Sequence, residues 1–424
     1  MTVQTPGPPG PPGPFRTADV HLPDPYPLYR HYRAHDPVHR AEDTWYLFRH
    51  DDVAHVLTGR GYGRGALPSR IPDTCPHLKR TASHWMVFMD PPEHTRVRAL
   101  VAKAFTPRIV EGLRPRIREL AAGLIAELGA EQEADLVDRF AAPLPILVIS
   151  ELLGVPRSDR PWFRARAVDL QQATSSRVAR RPDAFAVADA AARELDAYFR
   201  EELARRRAKD AEDGTDLIAA MLGAAEPDDD DTLVGTCIHL LTAGHETTTN
   251  LLGKGLLALL AHPEQLALLR ERPELLPAAV EELVRYDSPV QMISRWAHRD
   301  DEIGGRTIKE GEKVTMVLGS ANRDPDHFTD PDHLDIRRDA RRHAGFGMGI
   351  HYCVGAPLAR AEAELGLGEL LRGLPHLTLA DEPVRYAEDL VFHGPERLMV
   401  RPGGAPRGAR GTARPAEGDP QPPY

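Results

Sequence analysis

Residues 343–355 read His343-Ala-Gly345-Phe346-Gly347-Met-Gly349-Ile-His351-Tyr-Cys353-Val-Gly355. Glycines at 345, 347 and 349 permit tight turns and a close approach of the backbone. Cys353 then sits among free backbone N–H groups, which stabilise a thiolate by hydrogen bonding. The next segment, Ala356 to Leu371, reads as helical and continues as a long final helix from Arg360. Cys353 therefore lies at or just before a helix N-terminus, where an anion is favoured. This describes a stabilised axial thiolate better than an inert buried thiol. A phosphate-cradling loop is the rival reading of any Gly-rich run, but no Gly-Lys-Ser/Thr follows it.

Upstream, Asp231 to Ala261 reads as one helix, ended by His262-Pro263. At 1.5 Å per residue its roughly 31 residues span about 45 Å. Both halves are apolar, so it must cross the middle of a domain. Each apolar stretch is too short for a membrane span. Its centre reads Ala243-Gly244-His245-Glu246-Thr247-Thr248-Thr249-Asn250. Gly and consecutive β-branched Thr are poor helix formers, and a buried Glu must be paired or neutral. The bland reading is a solvated stretch or a kink. The functional reading is a helix opened on purpose: Gly244 lets something approach the backbone, while Glu246 and Thr247 manage protons there.

The chain has 424 residues, 42% hydrophobic and 27% charged. That is enough apolar material for a sizeable core. With 53 basic against 63 acidic residues, the net charge of -10 argues against a generic nucleic-acid binder. Cysteines at 75, 237 and 353 form no C-x-x-C pair. A disulfide framework and a thiolate-rich structural zinc site are both poor readings, and a reducing cytoplasm is the expected home. Residues 1–14 have no positively charged start and no apolar stretch, so neither a signal peptide nor a membrane anchor is expected in them.

Residues 1–14 are expected to be a disordered Pro/Gly leader, and 402–424 a disordered tail. Residues 15–401 are expected to form one large domain, since no internal linker is evident. Helices are expected over Pro25–Arg33, Asp51–Leu57, Pro92–Phe105, Pro107–Ala130, Ala134–Leu153 and Asp183–Lys209. Trp45–Phe48 reads as a strand. Ile303–Leu318 reads as a hairpin with turns at Gly304-Gly305 and Glu310-Gly311. Gly59–Ser83 reads as a long functional loop. The fold class is mainly α, an α-rich α+β domain with a long central helix and small β-sheets.

The Cys353 loop carries a resemblance. Phe346-Gly-x-Gly-x-His351-x-Cys353-x-Gly355 resembles the haem-binding signature of the cytochrome P-450 monooxygenases. Six fixed positions arise by chance on the order of once in ten million starts or less. Further blocks occur in that family's order. Ala243 to Thr248 resembles its oxygen-activation motif, and Glu282-Leu-Val-Arg285 its E-x-x-R motif. Ala321-Asn-Arg-Asp-Pro325 is similar to the segment leading into its meander. Asp90-Pro-Pro-Glu-His94-Thr-Arg-Val-Arg98 is like the haem-contacting helix of its soluble bacterial members. The resemblance spans about residues 20–401.

The resemblance implies haem b with Cys353 as the iron ligand, a thiolate that favours O–O cleavage. It implies Phe346 beside the sulfur, and room for haem at Gly347 and Gly355, as at Ala243 and Gly244. His94, Arg98, Arg295 and His351 resemble the residues that hold the haem propionates. Glu282 and Arg285, joined by Arg338, resemble the buried structural pair. Glu246 and Thr247 resemble the acid–alcohol pair that delivers protons to oxygen. Candidate pocket residues are His239, Thr242, Val290, Met292, Ile293, Val391 and Phe392, with Gln291, Leu390, Arg70 and Arg177 in the same walls. His239 is either a satisfied core histidine or a polar anchor for substrate. Cys75 and Cys237 read as inert.

The implied function is a soluble haem-thiolate monooxygenase that activates O2 and hydroxylates or epoxidises a hydrophobic small molecule, with bacterial natural-product biosynthesis as the setting. The chain carries no nucleotide, flavin or iron–sulfur motif. Electrons from NAD(P)H are therefore expected through separate proteins, a ferredoxin and a ferredoxin reductase. Arg337, Arg338, Arg341 and Arg342, with Arg96 and Lys103, are either a solvated turn or a basic docking face for an acidic ferredoxin. The alternatives are a peroxide-driven peroxygenase, an oxidative-coupling enzyme, and a non-catalytic haem partner or sensor.

Overall fold

A helix from Asp230 to Ala261 runs through the middle of the molecule, and most of its residues are buried. The computed structural model describes residues 15, 23–64, 71–102, 105–173, 182–208, 216–224, 229–387 and 389–403. The expected leader at 1–14 and the tail from 404 onward lie outside these residues. So do Arg70, Lys103 and Arg177.

The helices are α1 (Tyr26–His35), α2 (His50–Thr58), α3 (Pro76–Ser83), α4 (Glu93–Ala102), α5 (Pro107–Gly129), α6 (Pro143–Leu152) and α7 (Arg160–Gln171). They continue with α8 (Ala184–Arg207), α9 (Leu217–Leu222), α10 (Asp230–Ala261), α11 (Pro263–Glu271), α12 (Leu276–Tyr286), α13 (Leu318–Ala321) and α14 (Ala356–Gly373). The strands are β1 (Val38–Ala41), β2 (Thr44–Leu47), β3 (Tyr62–Gly63), β4 (Ala134–Asp135), β5 (Met292–Ala297) and β6 (Asp301–Ile303). After them come β7 (Arg306–Ile308), β8 (Lys313–Val317), β9 (Thr378–Leu379), β10 (Arg385–Tyr386), β11 (Pro395–Arg397) and β12 (Met399–Arg401).

The helix ends follow local chemistry. Pro107 opens α5, and the Thr106 hydroxyl accepts the Ile109 N–H. Asp230 and Asp231 sit in the first turn of α10, where the helix dipole favours anions. There they pair with Arg207 and Arg200 of α8. Helices α5, α6, α8, α12 and α14 pack with α10 in one continuous apolar core.

The largest sheet has the order β1-β2-β8-β5-β3. Strands β2 and β8 run parallel, with Trp45 opposite Val314. The β5–β8 pairing is antiparallel and sets Arg295 opposite Val314. An aromatic cluster of Phe15, Tyr29, Tyr32, Tyr46 and Phe48 packs with this sheet. Phe15 meets the Tyr46 ring at 4.9 Å and the Phe48 ring at 5.4 Å, both edge-on.

Three expected elements differ. The segment 59–83 is not one long loop: it holds β3 and α3, and α3 buries Leu78, Thr81 and Ala82. Its polar surface face hid the helix. Residues 134–153 are not one helix. Ala134 pairs with Val400 across β4 and β12, a π-turn covers Val137–Ala141, and α6 starts afresh at Pro143. The Gly304-Gly305 turn does close a hairpin, with both glycines at positive φ. Strand β8, however, leaves that hairpin and joins the large sheet between β2 and β5.

Candidate active site

The Cys353 loop is held by its own backbone and by tight contacts. Gly347 and Gly349 take φ values of 69° and 67°, a region that disfavours side chains. A Cβ on Gly349 would lie 2.3 Å from the Leu57 carbonyl oxygen. The Cys353 N–H donates to the Phe346 carbonyl at 2.9 Å, and the Ala344 N–H to Asn322 Oδ1 at 2.6 Å. Arg360 lies 4.5 Å over the Phe346 ring and is itself tied to Glu281. Burial pushes the Cys353 thiol up. The N–H groups of Gly355 and Ala356 and the charges of Arg360 and Arg98 pull the other way. These donors stabilise the sulfur when it is a thiolate.

Beside this loop is a cluster of cations short of anions. His94 is buried, and its ring lies 4.1 Å from that of His351. The Nε2 atoms of both are buried without a hydrogen-bond partner. Arg98 donates to the Tyr352 carbonyl at 2.7 Å and Arg295 to the Ser294 carbonyl at 2.9 Å. Arg64 adds a further buried guanidinium, bonded to the Val87 and Ser294 carbonyls. Burial lowers Arg64 to about 9, with the Arg295 charge adding to the effect. Burial also lowers Arg295 to about 10, against the pull of Asp90. His351 falls to about 3 through burial, then Arg295, His94, Arg64 and Arg98. Such a group of buried donors is unfavourable unless carboxylates enter it.

Arg64 was not among the expected residues. It sits in Gly61-Tyr-Gly63-Arg64-Gly65, where its N–H reaches both oxygens of Asp90 at 2.9 and 3.0 Å. An arginine bracketed by glycines, 26 residues before Asp90, was the available signal.

The third part is the middle of α10. Ala243 is exposed, and Thr242, Gly244 and Thr247 are half-buried, in a helix otherwise buried on both sides of them. A Cβ placed on Gly244 would meet nothing within 4 Å. Exposure there marks an internal space one side of the helix faces. The helix runs from Asp230 to Ala261 without a break in its assignment, and its centre lacks cover on one side. The Thr247 hydroxyl donates to the Ala243 carbonyl at 2.9 Å, and Thr242 donates to the His239 carbonyl at 2.9 Å. Glu246 is buried, 8% exposed.

The expected pocket residues divide. Val290, Ile293, Val391 and Phe392 are half-buried. Their two segments are joined by a 2.8 Å bond from the Gln291 N–H to the Val391 carbonyl. Asn250 of α10 donates to the Phe392 carbonyl at 3.0 Å, and Lys254 to the His393 carbonyl at 2.8 Å. Met292 points elsewhere: it is 1% exposed and packs in the aromatic cluster, because alternate strand residues face opposite ways. His239 is 7% exposed and stacks on Trp85 at 5.4 Å, which stacks on Phe88 at 5.7 Å. Burial, helped by Arg64, lowers His239 to about 4.

Away from this space, Glu282 takes both Arg285 nitrogens at 2.7 and 2.8 Å, and Arg338 at 3.2 Å. The other expected basic residues are largely neutralised. Arg337 pairs with Asp335, Arg341 with Asp339, and Arg96 with Glu93 and Asp229. Arg337, Arg341 and Arg96 thus each sit beside their own acid, which weakens the basic face they present.

Among the described residues no helix is long and apolar enough to cross a membrane. The donor set fits haem: a thiol with N–H donors, two orphaned imidazole nitrogens beside guanidinium groups for two carboxylates, and an uncovered glycine on the facing helix. A cytochrome P450 family model matches residues 181–398. Cytochrome P450 107B1 of Saccharopolyspora erythraea is 42% identical over 396 residues, covering 87% of this chain and 93% of that protein. Cytochrome P450 monooxygenase PikC of Streptomyces venezuelae is 41% identical, covering 89% and 91%. The solved cytochrome P450 PksS of the Bacillus subtilis bacillaene polyketide synthase superposes with a TM-score of 0.82 at 35% identity, covering 91% and 99%. The loop, the cation cluster and these relatives agree, and the chain belongs to the cytochrome P450 family.

Proposed function

We propose that this monooxygenase oxidises a largely apolar natural product of polyketide, macrolide, terpenoid or peptide origin, by hydroxylation or epoxidation. The observation that carries the reading is the uncovered strip of Ala243, Gly244 and Thr247 in the centre of buried α10. The apolar side chains of Val290, Ile293, Val391 and Phe392 suit such a substrate, and the polyketide-synthase relative supports the class. Electrons come from NAD(P)H through a ferredoxin and its reductase.

In this reading Cys353 holds the iron of haem b, and His94, Arg98, Arg295, His351 and Arg64 hold its propionates. Bound haem supplies the oxidising chemistry, using O2 and two electrons. The protein's own part is geometry and protons. Phe346 and Arg360 brace the sulfur loop, and Gly347 and Gly355 leave room beside it. Ala243 and Gly244 keep the oxygen side open. The Thr247 hydroxyl gives its hydrogen to the Ala243 carbonyl, so its lone pairs remain able to order a water. Rotating that hydroxyl frees its hydrogen for donation. Glu246, one residue earlier, passes protons inward. Asn250 and Lys254 fix the 389–393 turn against the substrate.

Thr247→Ala is expected to lower product formation by on the order of a hundredfold while NAD(P)H consumption continues. Product and cofactor are counted together in a ferredoxin-coupled assay. Unchanged coupling would remove Thr247 from the proton path. A titration panel of macrolactones and fatty acids, read by the spin-state shift, tests the substrate class. Tight binding of fatty acids alone would overturn it.

A further inference from the structure

His50 opens α2, with Asp51 next to it, and His327 lies six residues beyond the end of α13. The His50 and His327 rings face each other at 3.4 Å between centroids, only 12° from parallel. His50 is 5% exposed. Its Nε2 lies 3.3 Å from the Arg342 carbonyl oxygen. A carbonyl only accepts, so Nε2 carries the hydrogen and Nδ1 presents a lone pair. That Nδ1 has no hydrogen-bond partner, and neither has the buried Nε2 of His327. The Asp51 carboxylate is 3.8 Å from His50 Nδ1, on a side chain fully open to solvent. One ligand atom from each of His50, Asp51 and His327 lies within 4.8 Å of the others.

Buried nitrogens without partners are costly, and two together call for a common answer. A metal-ligating histidine characteristically donates its other N–H to a backbone carbonyl, which orients the ring and raises its basicity. The Arg342 carbonyl stands in that place.

We infer that His50 Nδ1, His327 Nε2 and the Asp51 carboxylate form a binding site for one zinc-class divalent ion, sharing no residue with the haem site. Two imidazoles and one carboxylate suit zinc, and water completes the tetrahedron. Ligation turns the half-buried His327 ring out of the stack while His50 keeps its bond to the Arg342 carbonyl, and Asp51 swings inward. The ion then pins the start of α2 to the turn after α13, next to the strand of chain that enters the Cys353 loop.

The test is calorimetric titration of tag-free, chelator-stripped, haem-loaded protein with zinc chloride. One equivalent per chain should bind with a micromolar or tighter dissociation constant. Loss of an outer partner alone costs about 10–100-fold in metal affinity, so His327→Gln and His50→Gln should each cost at least that much. Asp51→Asn changes only a surface group, so it tests the site without risk to folding and should weaken binding severalfold. His35→Gln is the control, because His31 and His35 also stack, at 4.7 Å on α1. It should bind zinc as the parent does. Absence of saturable binding, binding unchanged in both His327→Gln and Asp51→Asn, or binding lost with His35→Gln would overturn the assignment.

Discussion

Two groups of buried charge in this molecule are built in opposite ways. Around Glu282, every charge has its answer. Arg285 is fully buried, forks onto the Glu282 carboxylate, and donates to the Asn322 and Pro331 carbonyls at 2.9 and 2.8 Å. Arg338 closes the group from the far side. Around His351, the described cations Arg64, Arg98 and Arg295 find backbone carbonyls, and two imidazole nitrogens find nothing. The first group serves the fold, and the second is the one that, on the proposed function, a dianionic ligand would complete. The contrast separates a structural ion pair from a binding site without reference to any motif.

The largest expected effect comes from breaking the complete group. Arg285→Ala leaves a buried carboxylate with only the Arg338 guanidinium and the Asp335 N–H beside it, and should cost about 3–5 kcal/mol in urea unfolding. A loss below one kcal/mol would mean that the Glu282 group is not what fastens α12 to the 322–338 segment. A smaller effect is expected at the incomplete group, and in a different quantity. Arg295→Ala removes a buried cation, so haem-free protein should be no less stable. Haem retention should weaken by about 1.5–3 kcal/mol, the worth of a hydrogen bond to a charged group. Transfer of haem to apomyoglobin measures that loss. If unfolding stability fell and haem transfer did not change, the two groups would not differ in kind.

A further effect is a matter of pH. His239 sits at the end of the Arg64–Phe88–Trp85 stack, with its pKa lowered to about 4. The unfolded chain therefore binds a proton near pH 6.5 that the folded chain refuses until about 4. Stability is lost as pH falls through that window. His239→Gln should flatten the acid side of the stability profile between those limits, and an unaltered slope would show that His239 is not held neutral. Its stacking on Trp85 also favours the core reading of this histidine over a free anchor for substrate.

The comparison explains what was legible in the sequence. The Cys353 loop was readable because turns, sulfur and helix start are all local. The central helix was readable from its length and its odd centre. Glu282 and Arg285 could be paired because they lie one helical turn apart. Arg64 was not found, since only the fold brings it from β3 to β5. Helix α3 was missed because its surface face is polar, and the break at 134–143 because β4 forms only against β12, far along the chain. Met292 was assigned to the pocket by its neighbours, but strand alternation turns it into the aromatic cluster. Arg337 and Arg341 read as bare positive charge in the sequence, because only the fold sets Asp335 and Asp339 against them.

The proposed role of Cys353 as a haem thiolate is tested by the absorption spectrum of the dithionite-reduced protein under carbon monoxide, beside Cys353→Ala. The strongly red-shifted Soret band of thiolate ligation is expected in the parent, and its loss in the variant. A parent spectrum typical of histidine-ligated haem, or a red-shifted band that survives in Cys353→Ala, would contradict it.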